Sequence, residues 1–313
     1  MKFTLVTTCF NEIKSFTRWK SDLIAQTRQP DEICIVDAES TDGTRECLKE
    51  WAENDPRIRV IFKKCSVARG RNLAIEMATY EYIVSTDMGV RLDRKWCEEL
   101  LKPFENDKDI EVVAGWVLFD QSTLKSAVAR LDYYINRDSG KRTKTNLVIG
   151  NNSCSYKKYI WQELNGLPED LTYAADDAVF GRQILKAGYK IAVASGAKVF
   201  WARPNSLCDF WKEQYNYGRG SGEAAIIPPY AFRLYKKGLL PRYLVSFING
   251  LRFLHKAIRL SLINEIFSNH DIKAFLILPL YLFGKGYYYG KGYLLGDEYG
   301  RKYCKDCRNR LSN

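Results

Sequence analysis

The chain contains no apolar run long enough to cross a bilayer. The run from Ala274 to Phe283 is ten residues and includes Pro279, where a spanning helix needs about 20. Histidine is nearly missing, with 2 in 313 residues. The lone pair Cys304-Lys305-Asp306-Cys307 therefore has no second CxxC and no nearby imidazole to complete a tetrahedral zinc site, and reads as two incidental thiols. The nine cysteines are odd in number and lie mostly in apolar runs. They show no disulfide framework and favour a reducing, cytosolic setting. Internal repeats and low-complexity tracts are absent. No secretory leader is expected, because Met1-Lys2-Phe3-Thr4-Leu5-Val6 runs straight into a strand pattern.

What is present is an ordinary globular balance, 46% hydrophobic and 27% charged, which argues against a multi-span membrane protein. The length suits one large α/β domain, or a domain with an appendage. The charge is uneven. Residues 231–313 hold 15 Lys and Arg against 5 Asp and Glu, a net +10 of the chain's +11, while the preceding 230 residues hold 33 against 32. A nearly neutral body thus carries a basic C-terminal segment, suited to an anionic surface such as phospholipid or nucleic acid.

Short apolar runs alternate with amphipathic stretches in the first half. Strands are expected at 3–7, 32–36, 58–62 and 82–86, with helices at 15–26, 44–54 and 67–77 between them. This βαβ alternation implies a mostly parallel sheet. Further strands are expected at 111–119, 147–150, 189–193 and 197–201, with helices at 157–164 and from Asp176, and a mobile loop over 136–146. In the tail, Leu244, Phe247, Ile248, Leu251, Leu254, Ile258 and Leu262 recur at helical spacing, with Arg252, Lys256 and Arg259 on another side. Two readings fit this basic amphipathic helix and the apolar run after it. One is a segment lying in a membrane interface, with Tyr281, Tyr287, Tyr288, Tyr289 and Tyr293 at headgroup level. The other is a helical hairpin packed on the domain or on a second subunit.

Polar clusters follow three of the first four strands, where parallel sheets bind ligands. Val36-Asp37-Ala38-Glu39-Ser40-Thr41-Asp42-Gly43-Thr44 ends a strand in Asp37, a carboxylate able to accept from the imide N–H of uracil or thymine, or to contact a ribose. A capped turn alone explains Thr41 and Asp42 as well. Ala68-Arg69-Gly70-Arg71-Asn72 opens a helix with arginines that oppose its dipole. A bound diphosphate reverses that objection, and a solvated basic turn is the plain alternative. Asp87 ends the fourth strand, where a carboxylate faces a sugar hydroxyl or a Mg²⁺ or Mn²⁺ ion bridging a diphosphate. Asp176 and Asp177 stand side by side at a helix start, with Arg182 five residues past the second. Adjacent carboxylates are costly unless a cation, a proton or helix amides compensate them. Such a group beside a hydroxyl can act as a general base, although first-turn aspartates are common in any helix.

Together, Thr7-Thr8-Cys9-Phe10-Asn11-Glu12, VDAESTDGT, ARGRN, STDMGVRLDRKW, Gly150-Asn151-Asn152-Ser153 and the Asp176-Asp177 helix resemble glycosyltransferase family 2 in order and spacing over residues 1–220. The stretch Trp211–Gly220 also resembles the region after the catalytic helix in members of that family. The resemblance implies a GT-A fold over residues 1–225, with a nucleotide-binding half at about 1–95 and an acceptor half at about 96–225. Residues 226–313 would be the basic, membrane-associating helical segment. It further implies an inverting transfer from a nucleotide-sugar donor to a hydroxyl, while the basic amphipathic tail points to a saccharide or lipid-linked acceptor and to a cytoplasmic place at the inner face of the membrane. Asp177 takes the general-base position, with Asp176 where the family usually has Glu. Thr8, Asn11, Glu12, Asp37, Arg69, Arg71 and Asp87 line the nucleotide sugar. Gly150, Asn151, Asn152 and Arg182 belong to the acceptor or donor-sugar side. A divalent cation, Mg or Mn, would sit on Asp87. Two positions depart from the pattern. Ala38 and Glu39 stand where Asp and Gly are usual, and the Asp-x-Asp metal motif reads Asp87-Met88-Gly89, leaving open whether Asp93 compensates. Two other classes fit less well. A nucleic-acid binder would need a body without acidic strand ends, and a sugar nucleotidyltransferase would need a glycine-rich basic loop after the first strand, where Thr7 to Glu12 has none.

Overall fold

The computed structural model describes residues 1–143, 149–172, 174–257 and 260–312, the side chains of 255–261 and 312 excepted. The first elements alternate as the sequence predicts: β1 (Phe3–Cys9), α1 (Ile13–Ile24), β2 (Glu32–Asp37), α2 (Thr44–Asn54), β3 (Ile58–Phe62), α3 (Val67–Met77) and β4 (Tyr82–Ser85). They continue into β5 (Val90–Leu92), α4 (Trp96–Asn106), β6 (Val112–Phe119), α5 (Ala127–Asn136), β7 (Cys154–Lys157), α6 (Lys158–Glu163), α7 (Asp176–Ala187), β8 (Ile191–Trp201) and α8 (Leu207–Glu223). The tail is helical: α9 (Tyr230–Lys236), α10 (Val245–Ala257), α11 (Leu260–Ser268), α12 (Ile272–Tyr303) and α13 (Lys305–Ser312).

Contacts divide the chain into two compact units. The first comprises 1–118, 138–169 and 176–201. Its strands form one sheet in the order β3-β2-β1-β4-β7-β6-β8-β5. The β3-β2-β1-β4 part is parallel, and β4–β7, β6–β7 and β5–β8 pair antiparallel. Every residue of β2 is buried, as expected of a parallel strand covered on both faces. Alternation along β1 and β2 sends Phe3, Leu5, Ile33 and Ile35 into one core with Trp19, Trp51, Trp96 and Phe104. Val6, Cys34 and Val36 enter the other with Ala74, Ile160, Phe180 and Ile184. Because β2 and β4 flank β1 on opposite sides, chain order reverses at β1 and β4. A crevice of that kind is where open α/β sheets bind ligands.

Several expectations change. Of the strand expected at 147–150, Leu147 and Val148 lie outside the described residues, and Ile149 and Gly150 are not in a strand; pairing begins only at β7, after the turn through Asn151 and Asn152. The two strands expected at 189–193 and 197–201 are one, β8, since Ser195 and Gly196 continue extended.

The second unit comprises 119–137, 170–175 and 202–313. Residues 202–225, expected from the sequence in the first domain, lie here because α8 packs along α12. That packing has almost no side chains between the backbones. A methyl group at Gly218 or Gly222 would strike the Tyr289 or Tyr293 carbonyl, and one at Gly292 or Gly296 the Tyr215 or Arg219 carbonyl. A glycine-rich helix of 32 residues is unfavourable by propensity, and tertiary packing overrides that preference. The apolar run from Ala274 is the start of this helix. Tyr281 is buried with its hydroxyl donating to Asp132 at 2.6 Å, and Tyr293 is buried against Phe232. These two tyrosines are core residues and not headgroup contacts. The Asp170–Ala175 segment leading into α7 is also held in this unit. The buried Glu223 carboxylate accepts from the Thr172 amide and hydroxyl at 2.9 and 2.6 Å, and Cys304 donates its thiol to the Asp170 carbonyl.

Gly292→Ala should therefore lower stability by about 1–3 kcal/mol, because the obstructing atoms are backbone and cannot rotate away. Urea unfolding reads this directly, and an unchanged midpoint would contradict the packing described.

Candidate functional site

The ends of β1, β2 and β4 share one edge of the sheet, with Cys9 beside Asp37 and Val6 beside Ser85. The first turns of α3 and α7 supply the remaining groups. All the residues described here as the candidate site belong to the first unit.

Its centre is Arg71. One guanidinium nitrogen donates to Asp176 Oδ2 at 2.7 Å and another to Asp87 Oδ1 at 2.8 Å. Arg71 and Asp176 are almost enclosed, with side chains 12% and 5% exposed. Burial alone pushes the Arg71 guanidinium down, and the charges of Asp176, Asp87 and Asp177 more than reverse it. The arginine that opposes the helix dipole is thus compensated by carboxylates from β4 and α7. Arg69 differs. It is paired with Glu76 and Glu169, both at 3.1 Å, on an exposed surface, where such pairs contribute little.

Among the described residues Asp177 has no ion pair of that kind. Its carboxylate accepts from the Ala178 amide at 2.8 Å. Burial and the neighbouring Asp176 charge, with Arg71 opposing and Asp87 adding, push its pKa up to about 6. Adjacent acids have been driven apart in character, one neutralised by an ion pair and one poised near neutrality. The turn before β7 lies against it, since a methyl at Gly150 would sit 3.3 Å from Asp177 Oδ2. Next to Gly150, Asn151 is 3% exposed, and its Nδ2 finds no hydrogen-bond partner among the described residues. An unsatisfied donor of this kind costs about 1–3 kcal/mol, which a ligand's oxygen would remove. Asn152 is half-buried, with its amide oxygen also near Gly150.

The β1 and β2 ends are a scaffold of turns. Asp37 is fully buried. Both its oxygens accept from the Ser40 amide, at 3.2 and 3.1 Å, and Oδ1 also accepts from the Ser40 hydroxyl. The sequence pattern aims this carboxylate at a nucleobase; in the structure it also anchors the β2–α2 turn. Glu39, where glycine is usual, sits at φ +65°, and Asn11 at φ +57°, both in the left-handed region. Asn11 Oδ1 accepts from the Thr41 amide at 2.9 Å, so the two turns are tied together. Thr8 donates to the Val36 carbonyl at 2.9 Å, and Gly70 packs on its hydroxyl with no room for a side chain.

The truncated metal motif has a neighbour that sequence spacing does not show. A methyl at Gly89 would lie 3.6 and 3.7 Å from the two Glu12 carboxylate oxygens. Burial raises the Glu12 pKa, its Ser15 hydrogen bond opposes, and the charges of Asp87 and Asp42 add to the rise. Asp93 does not fill the gap. Its carboxylate accepts from the Lys95 amide at 3.0 Å, in the turn before α4. Among the described residues no three His, Cys, Asp or Glu side chains cluster as a metal cage. Glu12 and Asp87 offer two carboxylates, which suits an ion completed by water and phosphate oxygens.

Arg182 is not brought to the site. It is exposed on α7, because five helical residues turn it roughly 140° away from Asp177. Arg142 was not anticipated. This half-buried cation is pushed down by burial, and the Asp177 charge partly offsets the fall. Its carbonyl accepts from Trp116 Nε1 at 2.9 Å. Only its place in a basic loop beside the β6 edge hinted at this.

Comparison with known proteins agrees with this geometry. The model of the family described as "Glycosyl transferase family 2" matches residues 4–161. The O-antigen chain rhamnosyltransferase WbaN of Salmonella anatum is 25% identical over 206 residues, covering 63% of this chain and 65% of that protein. The poly-beta-1,6-N-acetyl-D-glucosamine synthase of Staphylococcus aureus is 22% identical over 251 residues, 78% of this chain and 60% of that protein. The matches thus span less than two thirds of these relatives' own lengths. Among solved structures, the mannosyltransferase PcManGT from Pyrobaculum calidifontis, in complex with GDP-Man and Mn²⁺, aligns with TM-score 0.58 and 17% identity over 96% of this chain and 88% of that one. TarS 1–349 of S. aureus, in complex with UDP, aligns with TM-score 0.51 and 17% identity over 96% and 92%. The sheet flanked by helices is of the GT-A type, and since the family model covers half of its residues, the chain belongs to glycosyl transferase family 2.

Proposed function

We propose that this chain transfers a sugar from a nucleotide-sugar donor to a hydroxyl of a saccharide acceptor, with inversion at the anomeric carbon and Asp177 as general base. One observation carries the reading. Arg71 neutralises Asp176 and leaves Asp177 partly exposed with its pKa near 6. A base at that value is ionised at neutral pH and still basic enough to accept a proton. In the single displacement, the acceptor oxygen bonds to the anomeric carbon as its proton passes to Asp177. The bond from that carbon to the diphosphate breaks, and the nucleoside diphosphate leaves. Asn151 and Asn152 supply amides to sugar oxygens beside Gly150. The turns tied by Asn11 and by Asp37 with Ser40 shape the nucleotide side. Arg71 holds Asp176 and Asp87 in place beside the point where the diphosphate departs.

Relatives and neighbours support the donor class, since two neighbours were solved with GDP-Man and with UDP. Relatives named for an O-antigen chain and for a poly-N-acetylglucosamine favour a cell-surface polysaccharide as acceptor. A divalent cation, as the mannosyltransferase holds Mn²⁺, would be held by Asp87 and Glu12, and would supply positive charge to the leaving diphosphate. A thermal-shift panel of UDP, GDP, dTDP and CMP sugars, with and without Mn²⁺, tests donor and cation together. Stabilisation by none of them would contradict the reading.

Asp177→Asn should reduce kcat by about 10²–10⁴-fold with donor affinity retained; an undiminished rate removes Asp177 from the role. The pH–rate profile should lose activity as pH falls through about 6, where Asp177 becomes protonated. The sign for stability is opposite. A folded pKa above the unfolded value means that ionisation weakens the fold as pH rises, so at pH 7 Asp177→Asn should be more stable by about 1–2 kcal/mol. Arg71→Lys keeps a charge but cannot bridge both carboxylates. Its acidic limb should move to higher pH and its stability fall by about 1–3 kcal/mol, read by rate profiles and thermal unfolding. A limb that stays at the wild-type position would show that Arg71 does not set the base.

A further inference from the structure

Helix α10 packs partly through polar and small residues. Among its described side chains the buried ones are Val245, Ser246, Asn249 and Gly250, two of them polar and one with no side chain. Asn249 donates to the Gly286 carbonyl at 2.8 Å, and Gly290 lies against Ser246 and Asn249. Val245 is fully buried and Ile248 and Leu254 pack against the cores of this unit, but two large apolar residues of the helix are left uncovered. Phe247 and Leu251, one turn apart, are 47% and 42% exposed, and Tyr243 just before the helix is 80% exposed. A helix in water ordinarily buries its apolar stripe; here part of it faces outward.

Helix α12 is apolar on both its buried and its exposed side over its first turns. Ala274, Leu278, Tyr281 and Leu282 are buried, while Ile272, Leu276 and Leu280, at a four-residue spacing, are 66%, 68% and 56% exposed. Phe247 lies beside α12, its ring 5.8 Å from that of Phe283, which follows Leu280 by three residues. Part of the α8–α12 and α10–α12 contact is made by glycine, serine and asparagine, residues that also let helices approach closely when their outer surfaces face hydrocarbon. No helix among the described residues is long and apolar enough to cross a membrane.

We propose that this face, formed by Tyr243, Phe247 and Leu251 with Ile272, Leu276 and Leu280, docks into the interfacial layer of an anionic phospholipid bilayer. Charge selects the occupant. Residues 231–313 have a net charge of +10, so a second copy would bring like charge to the same surface, whereas acidic headgroups complement it. Lys237 and Lys273 are exposed, close in sequence to Leu239 and Ile272. The apolar side chains enter the acyl boundary, and the basic ones remain at the phosphates. The sugar-transfer chemistry is not needed for this proposal.

The test uses the full chain and two kinds of vesicle, phosphatidylcholine alone and phosphatidylcholine mixed with phosphatidylglycerol, by co-sedimentation at low and high salt. Wild type should bind the mixed vesicles, weaken with salt, and bind neutral vesicles poorly. Leu276→Glu with Leu280→Glu alters only exposed positions, so thermal unfolding should be unchanged while vesicle affinity falls at least about a hundredfold. Lys237→Gln with Lys273→Gln should cost about fivefold per charge. Three results would overturn the proposal: wild type that ignores both vesicles, a leucine double variant that binds like wild type, or sedimentation showing a dimer that this variant abolishes.

Discussion

A single guanidinium ties together the elements of the candidate site. Arg71 is buried where its own helix dipole disfavours it, and it is tolerated because Asp176 and Asp87 take its charge through two short hydrogen bonds. Removing one member of a buried ion cluster exposes the others to an uncompensated desolvation cost. The strand end at Asp87, the first turn of α3 and the start of α7 are therefore fixed relative to one another by electrostatics as well as by packing. The important consequence falls on the residue left out of the pairing. Asp177 feels the cluster without joining it, and its basicity is a property of the arrangement.

Much of the first unit can be read directly from the amino acids. Runs such as Ile33-Cys34-Ile35-Val36 followed by polar turns leave few alternatives to a buried parallel strand, and helix positions 44–54 and 67–77 agree with the structure. The short strand Val90–Leu92 escapes because three residues carry no periodicity. The join of Tyr189–Val193 and Ala197–Trp201 into one strand depends on pairing partners far away in sequence. In the tail, glycine misleads. Gly284, Gly286, Gly290, Gly292 and Gly296 suggest breaks, yet each lies inside α12, where close backbone approach repays the low propensity.

The candidate site was legible where position determines chemistry, and obscure where the third dimension does. Asp87, Asp176 and Asp177 stand out because strand ends and helix starts aim carboxylates at a crevice. Asp37 looks the same in sequence, and only the structure shows that the Ser40 amide and hydroxyl donate to it. The proximity of Glu12 to Gly89 joins residues 77 positions apart and leaves no local trace. Arg142 near Asp177 is equally invisible. In the second unit, charge and apolar spacing announced an unusual surface. Only the structure shows that Phe247 and Leu251 of α10 are left uncovered, while Tyr281 and Tyr293, which resembled interfacial anchors, are core.

The claim that burial, with the charges of Asp176, Arg71 and Asp87, sets the basicity of Asp177 can be measured without substrate. Carbon-13 NMR of protein labelled at the aspartate carboxyls, titrated in wild type and in Asp177→Asn, identifies the Asp177 resonance by its loss. The account predicts that this resonance titrates near 6. A midpoint near 4, the value of an ordinary exposed aspartate, would contradict it.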